Sequence, residues 1–136
     1  MRPRVTVALS KGVGMSPIVW VVVGLVVLLV LAKVKASWRS PEALAAAQAA
    51  LSGGGKLVDV RSPGEFAAHR AKGAINVPVD EITAGRHGKL GPKHRPVVLY
   101  CASGSRSAMA ARALRQAGFR EVHDLGPLSN ATRIAG

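Results

Sequence analysis

Apolar positions along the chain fall into two regimes. Residues 15–32 read Met-Ser-Pro-Ile-Val-Trp-Val-Val-Val-Gly-Leu-Val-Val-Leu-Leu-Val-Leu-Ala and hold no charged side chain. Carried on to Val34 or Ala36, the run reaches about 20 residues, the length of a helix that crosses roughly 30 Å of hydrocarbon. Pro17 stands near its start, where a missing N–H costs a helix nothing. Trp20 and Trp38 bracket it, as interfacial aromatics do. The rest of the chain instead alternates short apolar runs with helical stretches.

Ser40-Pro41-Glu42 supplies a capping hydroxyl, a proline at the first helical position and an early acid. It predicts a helix through residue 51, stopped by Gly53-Gly54-Gly55. Residues 56–60 read as a short buried strand. Ser62-Pro63-Gly64-Glu65 opens a short helix ending near His69. Residues 74–77 form a brief strand stopped by Pro78, and 79–83 one helical turn. Residues 84–96, polar and holding Gly85, Gly88 and Gly91, read as surface loop. Residues 97–100, Val-Val-Leu-Tyr, are the strongest strand signal. Residues 107–117 predict a helix stopped by Gly118, 121–125 the last strand, and 126–136 a turn with a frayed helix that packs poorly. Strands apolar on both faces and alternating with helices belong in a parallel sheet covered on each side, so the fold class is α/β.

Three parts follow from this pattern: an N-terminal extension over 1–14, a transmembrane helix over 15–36 and one domain over 37–136. About 100 residues suffice for a compact core. A buried core helix at 15–36 is the weakest of three readings, because the remainder is too small to surround it with apolar partners. A cleaved signal peptide is the alternative, since Val34-Lys35-Ala36 loosely resembles a small-x-small site; the lysines beside it oppose that reading. Arg2, Arg4 and Lys11 on one flank nearly balance Lys33, Lys35 and Arg39 on the other. If translation begins at Met15, the first flank loses its charges, and the positive-inside rule places the domain in the cytoplasm. Export to the periplasm is the alternative that goes with signal cleavage.

The net charge is +12, and all seven acidic residues lie between Glu42 and Asp124. From Ser37 onward the chain holds 14 basic and 7 acidic residues. That excess suits an anionic partner or an anionic membrane face. Nucleic acid is not the expected partner, because few aromatics are available to stack bases and no basic helix stands out.

One cysteine excludes an internal disulfide and a CxxC zinc or dithiol site. The histidines His69, His87, His94 and His123 show no metal-ligand spacing. Cys101 is then either inert packing or a lone nucleophile, and its neighbours decide. A buried strand delivers Cys101 at its carboxyl end, where open α/β sheets bind ligands. Ala102, Ser103, Gly104 and Ser105 are small enough to curl, with Gly104 free to take positive φ. A helix N-terminus following the loop turns free N–H groups toward the sulfur and stabilises a thiolate, a persulfide or an oxyanion. Arg106 adds a permanent charge, directed at substrate or clamping the loop, and Ser107 supplies a helix cap.

Cys101-Ala-Ser-Gly104-Ser-Arg106-Ser107 resembles the active-site loop of the rhodanese family. Asp59-Val-Arg61-Ser-Pro-Gly-Glu65-Phe66, then His69, Gly73-Ala74, Asn76 and Pro78, resembles the same family's second signature, and Ala117-Gly118-Phe119 to Leu125-Gly126 a third segment. The resemblance covers roughly residues 40–136. It implies a three-layer rhodanese-like fold with a central parallel sheet of about five strands. It implies Cys101 as a sulfur carrier, 102–107 as the substrate-binding loop, and Asp59, Arg61 and Glu65 as supporting framework. The implied partners are a small-molecule sulfur donor such as thiosulfate or a persulfide, a thiol acceptor, and a protein donor or acceptor as a further option. No metal or organic cofactor is implied. Ala102 departs from the basic residue many thiosulfate-active members carry after the cysteine.

Two other functions remain open at this point. A rhodanese-like module could dock partners at the membrane without catalysis, although loss of Cys101 or Arg106 would be its sign. Related phosphatases and arsenate reductases use a loop one residue longer than the Cys-x4-Arg found here.

Overall fold

The computed structural model describes residues 16–37 and 40–136. The extension over 1–14, Met15 and the bracketing Trp38 lie outside the described residues. The chain divides into two compact units that part between Val34 and Lys35.

In the first, helix α1 (Pro17–Ser37) carries the apolar run. Ile18, Trp20, Val21, Leu28 and Leu31 are exposed, as are the apolar side chains between them. Among the residues whose side chains are described, no helix is long and apolar enough to cross a membrane. In α1 those residues end at Ala32, while the helical backbone continues to Ser37.

The second unit is built on α2 (Pro41–Ser52), β1 (Lys56–Asp59), α3 (Pro63–Ala68), β2 (Ile75–Asn76), α4 (Val79–Thr83), β3 (Val97–Cys101), α5 (Ser105–Gln116), β4 (Val122–Pro127) and α6 (Leu128–Ala135). The Ser40 side chain accepts the Ala43 N–H at 3.2 Å and caps α2. Ser62 and Glu65 form a reciprocal capping box at α3.

All strand pairs are parallel, in the order β2-β1-β3-β4. Side chains alternate across the sheet. Val58, Val97, Leu99 and Cys101 pack with Ile82 of α4 and Ala110, Ala111 and Leu114 of α5. Leu57, Val98 and Tyr100 pack with Ala47 and Ala50 of α2 and Ala131 of α6. The result is a three-layer α/β domain.

Three expectations change. The sheet has four strands among the described residues rather than about five. Only four segments of the sequence carry a strand-like apolar run; the fifth came with the family resemblance. The loop over 84–96 holds a 3-10 turn at Gly88–Leu90, and Leu90 is fully buried. Burial of one leucine ties an otherwise polar loop to the core. The C-terminal segment packs well, because α6 buries Ala131 completely and lays Leu128 and Ile134 against the sheet.

Candidate active site

The site forms where β3 ends. Leu99 stands opposite Asp124, but Cys101 stands opposite Pro127, so β4 holds one extra residue. Gly126, at φ 75°, lies in this bulge, and Asp124 Oδ1 accepts its N–H at 2.9 Å. The loop after Cys101 presses on the bulge. Gly104 has φ 104°, and a Cβ there would stand 3.3 Å from Gly126 Cα.

Gly104 is also the N-cap of α5, which starts at Ser105 and not at Ser107. Its left-handed backbone turns the chain into the helix with no side-chain cap. Ser107 is therefore a first-turn residue, fully buried, and its hydroxyl is free for other work. That hydroxyl donates to the Gly104 carbonyl at 3.1 Å and accepts from the Cys101 thiol at 3.6 Å. Cys101 has no exposed surface, and its Sγ accepts the Gly104 N–H at 3.0 Å. The N–H groups of the first turn of α5 have no intrahelical partner, and they add partial positive charge around the sulfur. Ala102, Ser103 and Ser105 are exposed along the loop.

Arg106 grips Glu65 with both ends of its guanidinium. Its Nη1 donates to Oε2 at 2.8 Å and its Nη2 to Oε1 at 2.9 Å. The same Oε2 accepts the Ser62 N–H at 3.0 Å, so one carboxylate both caps α3 and clamps the loop. The Arg106 guanidinium holds the Glu65 carboxyl well below the usual carboxylate range, with the Ser62 bonds adding to the effect. Arg106 is raised in turn, chiefly by its bond to Glu65.

A second ion pair lies in the core beside the first. Asp59 at the end of β1 is fully buried, and Arg61 Nη2 donates to its Oδ2 at 2.6 Å. Arg61 Nη2 also reaches the His69 carbonyl at 2.6 Å, fastening the exit of α3. Asn76 on β2 donates to the carbonyls of Asp59 and Arg61 at 3.0 and 2.9 Å. The Tyr100 hydroxyl accepts the Ala71 N–H at 3.1 Å. Burial pushes the Tyr100 phenol up to about 12, and its bond to Asp59 acts in the same direction.

The lowered Glu65 value makes stability depend on acid. Its contribution is complete above the ordinary glutamate range and is lost as pH falls toward the lowered value. The urea midpoint of the protein is therefore expected to fall on going from pH 7 to pH 3. Glu65→Gln, which cannot gain that proton, is expected to show a smaller fall. An equal fall in both would show that the clamp contributes nothing on the acid side.

The rhodanese-like domain family model matches residues 41–126. The chain belongs to the rhodanese-like domain family. YqhL of Bacillus subtilis is 37% identical over 70 residues, 52% of this chain and 54% of that protein, so the chain spans about half its length. A sulfurtransferase of Allochromatium vinosum is 41% identical over 69 residues, 51% of this chain and 63% of the relative. The structure of the human single-domain sulfurtransferase TSTD1 superposes with a TM-score of 0.52 at 26% identity, covering 72% of this chain and 93% of that one.

Within this rhodanese-like domain the sequence-based site residues form two adjoining groups. Cys101, Gly104 and Ser107 meet at the sulfur, and Glu65 joins the loop through Arg106. Asp59 and Arg61 do not reach the loop; they secure the carboxyl ends of β1 and β3 and the segment after α3. Tyr100 was not singled out from the sequence. Its signal was a hydroxyl inside an otherwise apolar strand, because a buried phenol needs a partner.

Proposed function

We propose that this protein is a sulfurtransferase that carries sulfane sulfur on Cys101. The observation that carries the reading is the Gly104 N–H aimed at Sγ from 3.0 Å, at the mouth of a helix N-terminus. Such donors stabilise a sulfur anion, whether thiolate or persulfide. The Cys101 thiolate attacks the outer sulfur of thiosulfate or of a persulfide. The donor's S–S bond breaks as a new one forms on Sγ, and sulfite or a thiolate leaves. A thiol acceptor then takes the sulfur, splitting one transfer into two easier steps. Relatives named sulfurtransferases support the class. Phosphoryl or arsenate chemistry is disfavoured, because both ends of the Arg106 fork are held by Glu65 and not offered to an oxyanion.

The same proposal attaches the protein to a membrane through residues 15–36, with the catalytic domain on the cytoplasmic side. The backbone of α1 runs for 21 residues, about 31 Å, and its apolar side chains between Ile18 and Leu31 stand exposed. One experiment tests both parts. The full chain is expressed, fractionated, incubated with thiosulfate or cysteine persulfide, and weighed intact. Recovery with membranes and a reducible gain of one sulfur atom are expected. No gain from either donor would overturn the sulfur-carrier reading, and recovery in the soluble fraction would overturn the anchor.

A further inference from the structure

Three facts about α5 bear on what delivers the sulfur. First, Arg106 is bound at both ends by Glu65, and 102–105 are small and uncharged, so a donor seated on Sγ finds no free side-chain cation in the loop itself. Second, Arg112 is exposed and takes part in no ion pair among the described residues. It lies seven residues past Ser105, about 10 Å along the helix, beyond the reach of a small molecule on the sulfur. Third, Met109 stands between them, 56% exposed, the sole large apolar side chain of the described residues 40–136 left in solvent.

Ser105, Met109, Arg112 and Gln116 recur at helical spacing and form one stripe. With Thr83 they line a groove of about 470 Å³ that begins at the active-site loop. Among the described residues no acidic side chain lines it, and α5 itself contains none. An arginine with no ion pair among the described residues and an exposed methionine, leading from the active-site loop, match an extended segment with an apolar side chain and negative charge. Methionine suits such contacts, because it adapts its shape to what it meets.

We propose that the physiological donor is a protein whose persulfide-bearing cysteine lies on an exposed acidic segment, and that this segment docks along the groove of α5. The inference rests on the sulfurtransferase reading. In the transfer, the Cys101 thiolate attacks the terminal sulfur of the donor R–S–SH. The donor's S–S bond breaks, the Sγ–S bond forms, the donor leaves as R–S⁻, and the proton stays on the new persulfide.

The test compares three donors on the full chain: a short peptide persulfide bearing leucine and glutamates beside its cysteine, the same peptide with glutamine for glutamate, and free cysteine persulfide. The acidic peptide is expected to show the higher kcat/KM of the two peptides, by an amount that shrinks with added salt. Arg112→Gln and Met109→Gln are each expected to lower its kcat/KM by about three- to fivefold through KM, leaving the rate with cysteine persulfide unchanged. Transfer from cysteine persulfide without discrimination between the peptides, or without a response to either variant, overturns the docking inference alone. No transfer even from cysteine persulfide overturns the sulfurtransferase reading and the docking inference with it.

Discussion

Asp59→Ala is expected to destabilise the domain by about 3–5 kcal/mol, the cost of stripping a buried charge of its partner. Asp59 has no exposed surface and Arg61 is nearly as buried. The carboxylate accepts the Arg61 Nε, Nη2 and backbone N–H, at 2.6 to 3.1 Å. Without it, the guanidinium remains beside the Tyr100 ring, 5.8 Å from its centroid, with only the His69 carbonyl for a partner. At about 4–8 °C per kcal/mol for a domain of this size, the melting temperature should fall by more than about 12 °C. Pairing the change with Arg61→Met is expected to recover part of the loss, since it removes the stranded charge. Recovery stays partial because the backbone N–H of residue 61 still lacks its acceptor. A loss below about 1 kcal/mol in Asp59→Ala would mean that water reaches Arg61 and the pair is not a structural element.

This network shows how far the sequence can be read. The alternation of apolar runs and helix starts placed the elements of the domain, because period-2 and period-3.6 burial and the Ser-Pro-Glu and Ser-Pro-Gly-Glu starts are local signals. Strand order and register are not local; they come from how each βα unit crosses over, so the adjacency of Asp59, Tyr100 and Asn76 was invisible. Ser107 was misread for a related reason. A serine near a helix start looks like a cap, and only the positive φ of Gly104 shows that the helix begins two residues earlier. Arg106 had two readings from sequence, substrate or clamp. The choice depended on Glu65, 41 residues away, arriving within 3 Å. The fifth strand was expected from resemblance, and no run of residues in this chain called for it.

Gly104→Ala is expected to reduce sulfur loading of Cys101 about a hundredfold, the scale on which displacement of a reacting group by about 1 Å acts. Gly104 combines three demands: φ of 104°, an N–H on Sγ, and close approach to the β4 bulge. An L side chain at this φ is strained by about 1–3 kcal/mol. Its Cβ would also stand 3.3 Å from Gly126 Cα, a backbone atom in the bulge of the same sheet, which has little freedom to retreat. The strain is relieved by rotating the peptide, and that rotation takes the N–H off the sulfur. Gly64→Ala is the matched control. An added Cβ there meets nothing within 4 Å, and alanine favours the helix it sits in. Loading is followed by intact mass at a temperature where circular dichroism shows the Gly104→Ala chain still folded, so that lost chemistry is separated from lost structure. If that folded variant loads sulfur as fast as the wild type, the Gly104 amide does not support the sulfur anion, and the role assigned to the loop fails.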